Sequence, residues 1–101
     1  MRGAVSATEY ALELNSGDSL ARRNLARYHI RLREWSEAIA HLKILIETSP
    51  TATDLGLLGV CYANMGDLRR ARVLFTKALE RDPNQPEAKA GMEILEASQS
   101  P

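Results

Sequence analysis

Residues 58–71, LGVCYANMGDLRRA, set beneath residues 25–38, LARYHIRLREWSEA, place large side chains under large and small under small at an offset of 33. The same offset carries Leu42 onto Phe75, Leu45 onto Ala78 and Pro50 onto Pro83. Two prolines in phase with an apolar pattern mark a repeated unit, and a repeat dictates the fold before any single helix or strand is assigned. Partial copies flank the two full ones. Tyr10–Asn15 matches Lys77–Asp82, with Ser16 where a proline would stand, and Pro86–Ala97 reads as one more helix with no partner after it.

Inside each unit the apolar residues recur at helical spacing, with no sustained strand-like alternation. The pattern predicts helices over 4–15, 19–32, 35–48, 53–65, 68–81 and 86–97. Their punctuation has physical causes. Thr51-Ala-Thr-Asp54 and Asn84-Gln-Pro-Glu87 resemble capping boxes, in which the first side chain accepts an orphan N–H and the fourth reaches back. Gly66 can take the positive φ that ends a helix, and Asp67 can cap the next one. In the earlier unit Arg33-Glu34 stands in place of Gly66-Asp67, so that turn should carry some backbone strain.

The totals bound the function. A chain of 101 residues, 45% hydrophobic, fits one domain that buries only part of its surface, so an elongated or layered shape suits it as well as a globule. Thirteen basic and thirteen acidic side chains cancel, which removes any bulk attraction to nucleic acid or anionic lipid. Their distribution is uneven: residues 1–33 hold six arginines against three acids, and residues 80–101 hold five acids against two bases. Cys61 is the only cysteine, which excludes an intramolecular disulfide and a multi-cysteine metal site. The N-terminus has no sustained apolar stretch and no segment reaches the roughly 18 apolar residues of a membrane span, so membrane insertion is not expected; a cytoplasmic location is favoured, the alternative being a targeting segment outside this sequence.

The units resemble tetratricopeptide repeats, through Leu58, Gly59, Tyr62, Gly66, Asp67, Ala71, Phe75, Ala78 and Pro83 in the clearer copy. Leu25, Ala26, Ala38, Leu42 and Pro50 carry the likeness in the other copy, with His29 where the tyrosine belongs, Arg33 for the glycine and Leu45 for the alanine. The resemblance implies an all-α fold: a right-handed superhelical stack of antiparallel helix-turn-helix hairpins, two full repeats with flanking half-repeat helices. The single domain then divides into the second helix of a partial repeat (1–18), repeats at 19–51 and 52–85, a C-terminal capping helix (86–97) and a tail (98–101). Gly59 and Ala71 permit close approach within a hairpin, Tyr62 and Phe75 fill the remaining space, and Ala78 lets the next hairpin stack. Each hairpin leaves an apolar face open, so neighbours must cover it; the last helix, with Lys89, Glu93 and Glu96, reads as a polar cap. Because the chain opens on the second helix of a unit, it fits a segment of a longer array, or a chain whose N-terminal apolar face (Val5, Tyr10, Leu12, Leu14) meets another subunit.

Little in the sequence supports catalysis. There is no glycine-rich phosphate loop, no paired-ligand metal spacing and no nucleophile elbow. No catalytic residue, metal site or cofactor is therefore expected. His29 stands at a packing position, His41 reads as a surface residue, Glu34 and Glu37 at a helix start suit the helix dipole, Cys61 among apolar neighbours reads as a buried inert thiol, and Trp35 takes the hairpin-turn position of Leu68.

Binding has a better candidate. In tetratricopeptide arrays the first helix of each hairpin lines a concave groove, and the resemblance implies that Arg23, Asn24, Arg27 and Arg31, with Gly56, Leu57, Val60 and Asn64, face it. Independently of family, Arg23, Arg27 and Arg31 are spaced i, i+4, i+8 along one helical stripe. Like charges so placed repel one another unless acids meet them. Planar guanidinium forks recognise carboxylates well, and Leu57 and Val60 would add an apolar shelf. The expected partner is a protein or peptide segment with acidic and apolar residues, bound by a non-enzymatic scaffold or adaptor. The carboxylate clamp with which some members hold chaperone tails matches poorly, since Arg27 stands for an asparagine, and Leu57, Glu87 and Gly91 replace the other polar or basic members. The competing expectation is a self-associating module of a larger assembly, such as a bacterial secretion or pilus-assembly component. There the arginine-rich half of one copy, or its N-terminal helix, would meet the acidic end of the next. Nucleic acid is disfavoured by the zero net charge and the few aromatics.

Overall fold

The computed structural model describes residues 18–99, with side chains through Ala97, as a stack of helical hairpins. The helices are α1 (Ser19–Arg31), α2 (Trp35–Thr48), α3 (Ala52–Asn64), α4 (Leu68–Arg81) and α5 (Pro86–Gln99). Hairpins α1–α2 and α3–α4 are joined through α2 against α3, and α5 closes the stack by packing on both α3 and α4. The helix expected over 4–15 and the apolar face carried by Val5, Tyr10, Leu12 and Leu14 lie outside the described residues. Helices α1, α2, α4 and α5 start where the sequence pattern predicts; α1 ends one residue early, α3 starts and ends one residue early, and α5 runs two residues further, to Gln99.

Four of the five described helix starts carry a side-chain cap, α2 being the exception. Asp18, Thr51 and Asp67 accept the backbone N–H of Ala21, Asp54 and Arg70 at 3.0, 3.1 and 3.1 Å, satisfying donors that have no partner inside the helix. At α5 the sequence expectation is corrected by one position: Gln85, not Asn84, is the acceptor, taking the N–H of Ala88 at 2.7 Å. Asn84 instead donates its own N–H to Asp82 Oδ1 at 3.0 Å. The reason is steric. Gln85 is buried against the bare Cα of Gly56, where a Cβ would strike its amide, and Pro86 follows at the first helical position, where its missing N–H costs nothing.

The hairpin turns share one geometry. Glu34 donates its N–H to His29 O at 2.8 Å, and Asp67 donates its own to Tyr62 O at 2.9 Å, each closing the last helical turn over a left-handed residue. That residue is Gly66 (φ 86°) in the second hairpin and Arg33 (φ 60°) in the first. At the other ends, Ser49 and Asp82 are extended, the conformation forced on a residue that precedes proline, and α2 and α4 stop there.

The core runs continuously through the stack. Phe75 is 1% exposed. A Cβ added at Gly59 of α3 or at Gly91 of α5 would collide with its ring, so one aromatic joins the second hairpin to the helix that follows. Ala26, Ala38, Ala71, Ala78 and Ala88 are fully buried, at positions where a larger side chain would hold the helices apart. Leu58 and Tyr62 lie in the same core, while Pro83 sits exposed in the turn after α4.

Candidate partner-binding face

One face of α1 is assembled by helical periodicity. Leu20, Asn24, Arg27 and Arg31, at i, i+4, i+7 and i+11, point the same way and are all exposed. Asn24, Arg27, Tyr28 and Arg31 line a shallow hollow of about 190 Å³. The Arg31 guanidinium stands 6.0 Å from the centre of the Tyr28 ring. Among the described residues neither Arg27 nor Arg31 has a carboxylate partner. Two bare guanidinium groups beside a phenol make a surface suited to anionic oxygen.

Arg23 leaves this stripe. Its Nε donates to Asp54 Oδ1 at 2.6 Å and its Nη2 to Oδ2 at 2.9 Å. Asp54 is fully buried, so the fork-on-fork pair ties α1 to α3. The hydrogen bond to Asp54, aided by its charge, holds Arg23 above the ordinary arginine pKa against the opposing effect of burial. The expected row of three arginines is therefore two. An i, i+4, i+8 series drifts around the helix by about 40° per step, which turns Arg23 toward the hairpin interface while Arg27 and Arg31 stay outside. The sequence marks Asp54 only as the fourth residue of a capping box; its N–H does meet Thr51, but its carboxylate serves Arg23.

On α3 the expected groove residues separate. Gly56 and Leu57 are buried, Leu57 at 5% exposure. Neither offers an apolar shelf to a partner, because Gly56 faces Gln85 and Leu57 belongs to the core. Val60 is half-buried against that core. Asn64 is exposed, but its amide donates to Val60 O at 2.9 Å. The apolar element on the arginines' face is instead Leu20, 64% exposed and about two turns before Arg27. Its place one turn before Asn24 was the signal that would have found it.

The residues that could do chemistry are otherwise engaged. Cys61 is fully buried and burial pushes its thiol up to about 12, which leaves no thiolate for nucleophilic attack near neutral pH. Trp35 packs half-buried on the core. His41 corrects the surface expectation: it is half-buried, stacks on His29 with ring centres 5.7 Å apart, and lies with Nδ1 3.1 Å from Arg22 Nη1. The offset of 33 explains this, because His41 occupies the position of Leu74, which packs on the core in the second unit. His29 is buried with Nδ1 3.0 Å from Glu34 Oε1.

Two other hollows mark the surface. One of about 460 Å³ is lined by Ile46, Pro50, Leu55, Lys77, Glu80 and Arg81. The other, about 370 Å³ and almost wholly apolar, lies among Leu58, Tyr62, Val73 and Leu74 under Arg69 and Arg70. The hollow on α1 is smaller than either and is lined by two arginines, an asparagine and a phenol. No described helix is long and apolar enough to cross a membrane.

A family model described as tetratricopeptide repeat matches residues 35–95. The matched span starts at α2 and takes in the second hairpin and most of α5, leaving out α1, where the sequence pattern is loosest. Compared with curated proteins, the chain has no match.

Proposed function

We propose that the chain, which belongs to the tetratricopeptide repeat family, is a protein-interaction module whose α1 face receives an acidic, partly apolar segment of a partner. The family's architecture is typically a non-enzymatic scaffold, and fold alone does not choose the partner. What supports this choice is the pair Arg27 and Arg31, exposed and without carboxylate partners among the described residues, on the same helix face as exposed Leu20. A carboxylate held by both guanidiniums would relieve their mutual repulsion as well as form charge-assisted hydrogen bonds. An apolar residue about two to three helical turns away along the partner would rest on Leu20.

The test is an NMR titration of the ¹⁵N-labelled chain with an amphipathic Glu/Leu peptide, using its Lys/Leu counterpart as control. Shifts should concentrate at Leu20, Asn24, Arg27 and Arg31, weaken at high salt and disappear in the Arg27→Glu, Arg31→Glu double variant. Equal shifts with the basic peptide, or shifts confined to the apolar hollow at Val73 and Leu74, would overturn the assignment. Head-to-tail self-association is the second reading, favoured by exposed Glu93 and Ile94 on α5 at the acidic end. Under it, sedimentation would show concentration-dependent dimers that the same double variant dissolves.

A further inference from the structure

We propose that His29, Glu34 and Glu37, gathered around the first hairpin turn, bind a first-row divalent transition-metal ion. One imidazole nitrogen and two carboxylate oxygens from these residues lie within 4.8 Å of one another. No spacing rule reveals the set, because its members come from the end of α1, the turn and the start of α2.

The geometry is close to what such an ion needs. Ligands about 2.0–2.1 Å from a tetrahedral metal sit roughly 3.3 Å apart, and His29 Nδ1 and Glu34 Oε1 are already 3.0 Å apart. Glu37 is exposed and can close the remaining gap by rotating its side chain. The first two ligands are also held in place. His29 is buried and its ring is stacked on His41, while the backbone N–H of Glu34 is bonded to the carbonyl of His29 itself. His41 lies outside the set, and its Nδ1 is 3.1 Å from Arg22 Nη1. Water completes the coordination.

The second hairpin supplies the internal control. At the offset of 33, His29, Glu34 and Glu37 become Tyr62, Asp67 and Arg70. There the Arg70 guanidinium lies 3.6 Å from Asp67 and 5.5 Å from the centre of the Tyr62 ring, so the protein provides its own cation. The first hairpin replaces that arginine with a second carboxylate and the phenol with an imidazole. Two carboxylates around a neutral imidazole sum to two negative charges, which a dication balances. The mixed nitrogen and oxygen donor set suits zinc, cobalt or nickel better than magnesium or calcium.

The experiment is isothermal titration of the full chain with Zn²⁺, paired with the visible spectrum of the Co²⁺ complex. One ion per chain is expected, with d–d bands of a nitrogen–oxygen site. Glu37→Gln should weaken binding at least 10-fold, and Glu37→Arg, which rebuilds the second hairpin's arrangement, should abolish it while helicity by circular dichroism stays unchanged. His29→Tyr should abolish it as well; Asp67→Asn and His41→Gln should leave the stoichiometry at one. Absence of saturable binding, or an unchanged affinity in Glu37→Arg, would overturn the proposal. Because Glu37 is exposed, its variants decide the question even where His29→Tyr fails to fold.

Discussion

The two hairpins are built on one template and solve it differently. The second uses a glycine at its turn, a side-chain cap at the start of its second helix, and Phe75 set against Gly59. The first uses a left-handed arginine, Glu34 with no capping hydrogen bond from its side chain, and Leu42 with Ala26 at the corresponding positions. The smaller core residue travels with the larger neighbour, so volume is conserved across the pair while shape is not. The comparison teaches that the second unit is the mechanical one. The first keeps the fold with looser local rules and carries the free arginines, the histidine stack and the carboxylate pair.

The largest effect should come from the core. Phe75→Ala is expected to cost about 4 kcal/mol in urea unfolding, more than Leu42→Ala, because the lost ring leaves two glycines facing a void. Equal losses would break the distinction between the hairpins. Importing the first unit's solution, Phe75→Leu with Gly59→Ala, should cost less than the two changes added separately.

Next is the tie between hairpins. Arg23→Met strands the fully buried carboxylate of Asp54 and should cost about 3 kcal/mol. Adding Asp54→Leu should recover most of that, as replacing a whole buried pair is far milder than halving it. A thermal melt unchanged by Arg23→Met would return Arg23 to the free stripe.

Smaller and opposite in sign are the turn exchanges. Arg33→Gly should stabilise by about 1 kcal/mol through relief of a left-handed backbone, and Gly66→Arg should destabilise by about the same. Both shifts are readable as denaturant midpoints at constant m-value.

The smallest effect at neutral pH belongs to Cys61. Its thiol, ordinarily near 9.0, is pushed up to about 12 by burial. The unfolded chain therefore loses this proton first as pH rises. Its linked contribution is intact below pH 9.0, declines as pH climbs toward about 12, and leaves stability near pH 7 untouched. Native protein at pH 8 should resist a thiol reagent that modifies the chain in denaturant.

The stack of hairpins was legible because its evidence is periodic: two in-phase prolines, Gly66 and the small-residue positions fix helix ends and close approaches before any contact is known. The face was only partly legible. Helical spacing grouped Arg27 with Arg31, but it could not say that Arg23 would turn inward, because the partner waiting there, Asp54, lies 31 residues away. Leu57 looked like surface from its register and is core, since burial depends on which neighbouring helix covers it. Gln85 lay outside the usual capping residues, and only the bare Cα of Gly56 explains why it was used.

Phe75 between Gly59 and Gly91 also sets the grain of unfolding. A single ring shared by three helices cannot lose α5 without exposing one of its faces, so fraying at the C-terminal end should not proceed helix by helix. Amide exchange in α4 and α5 is then expected to share one opening event, and a chain shortened to Pro83 would lose cooperativity in the hairpin that remains, well beyond the helix removed.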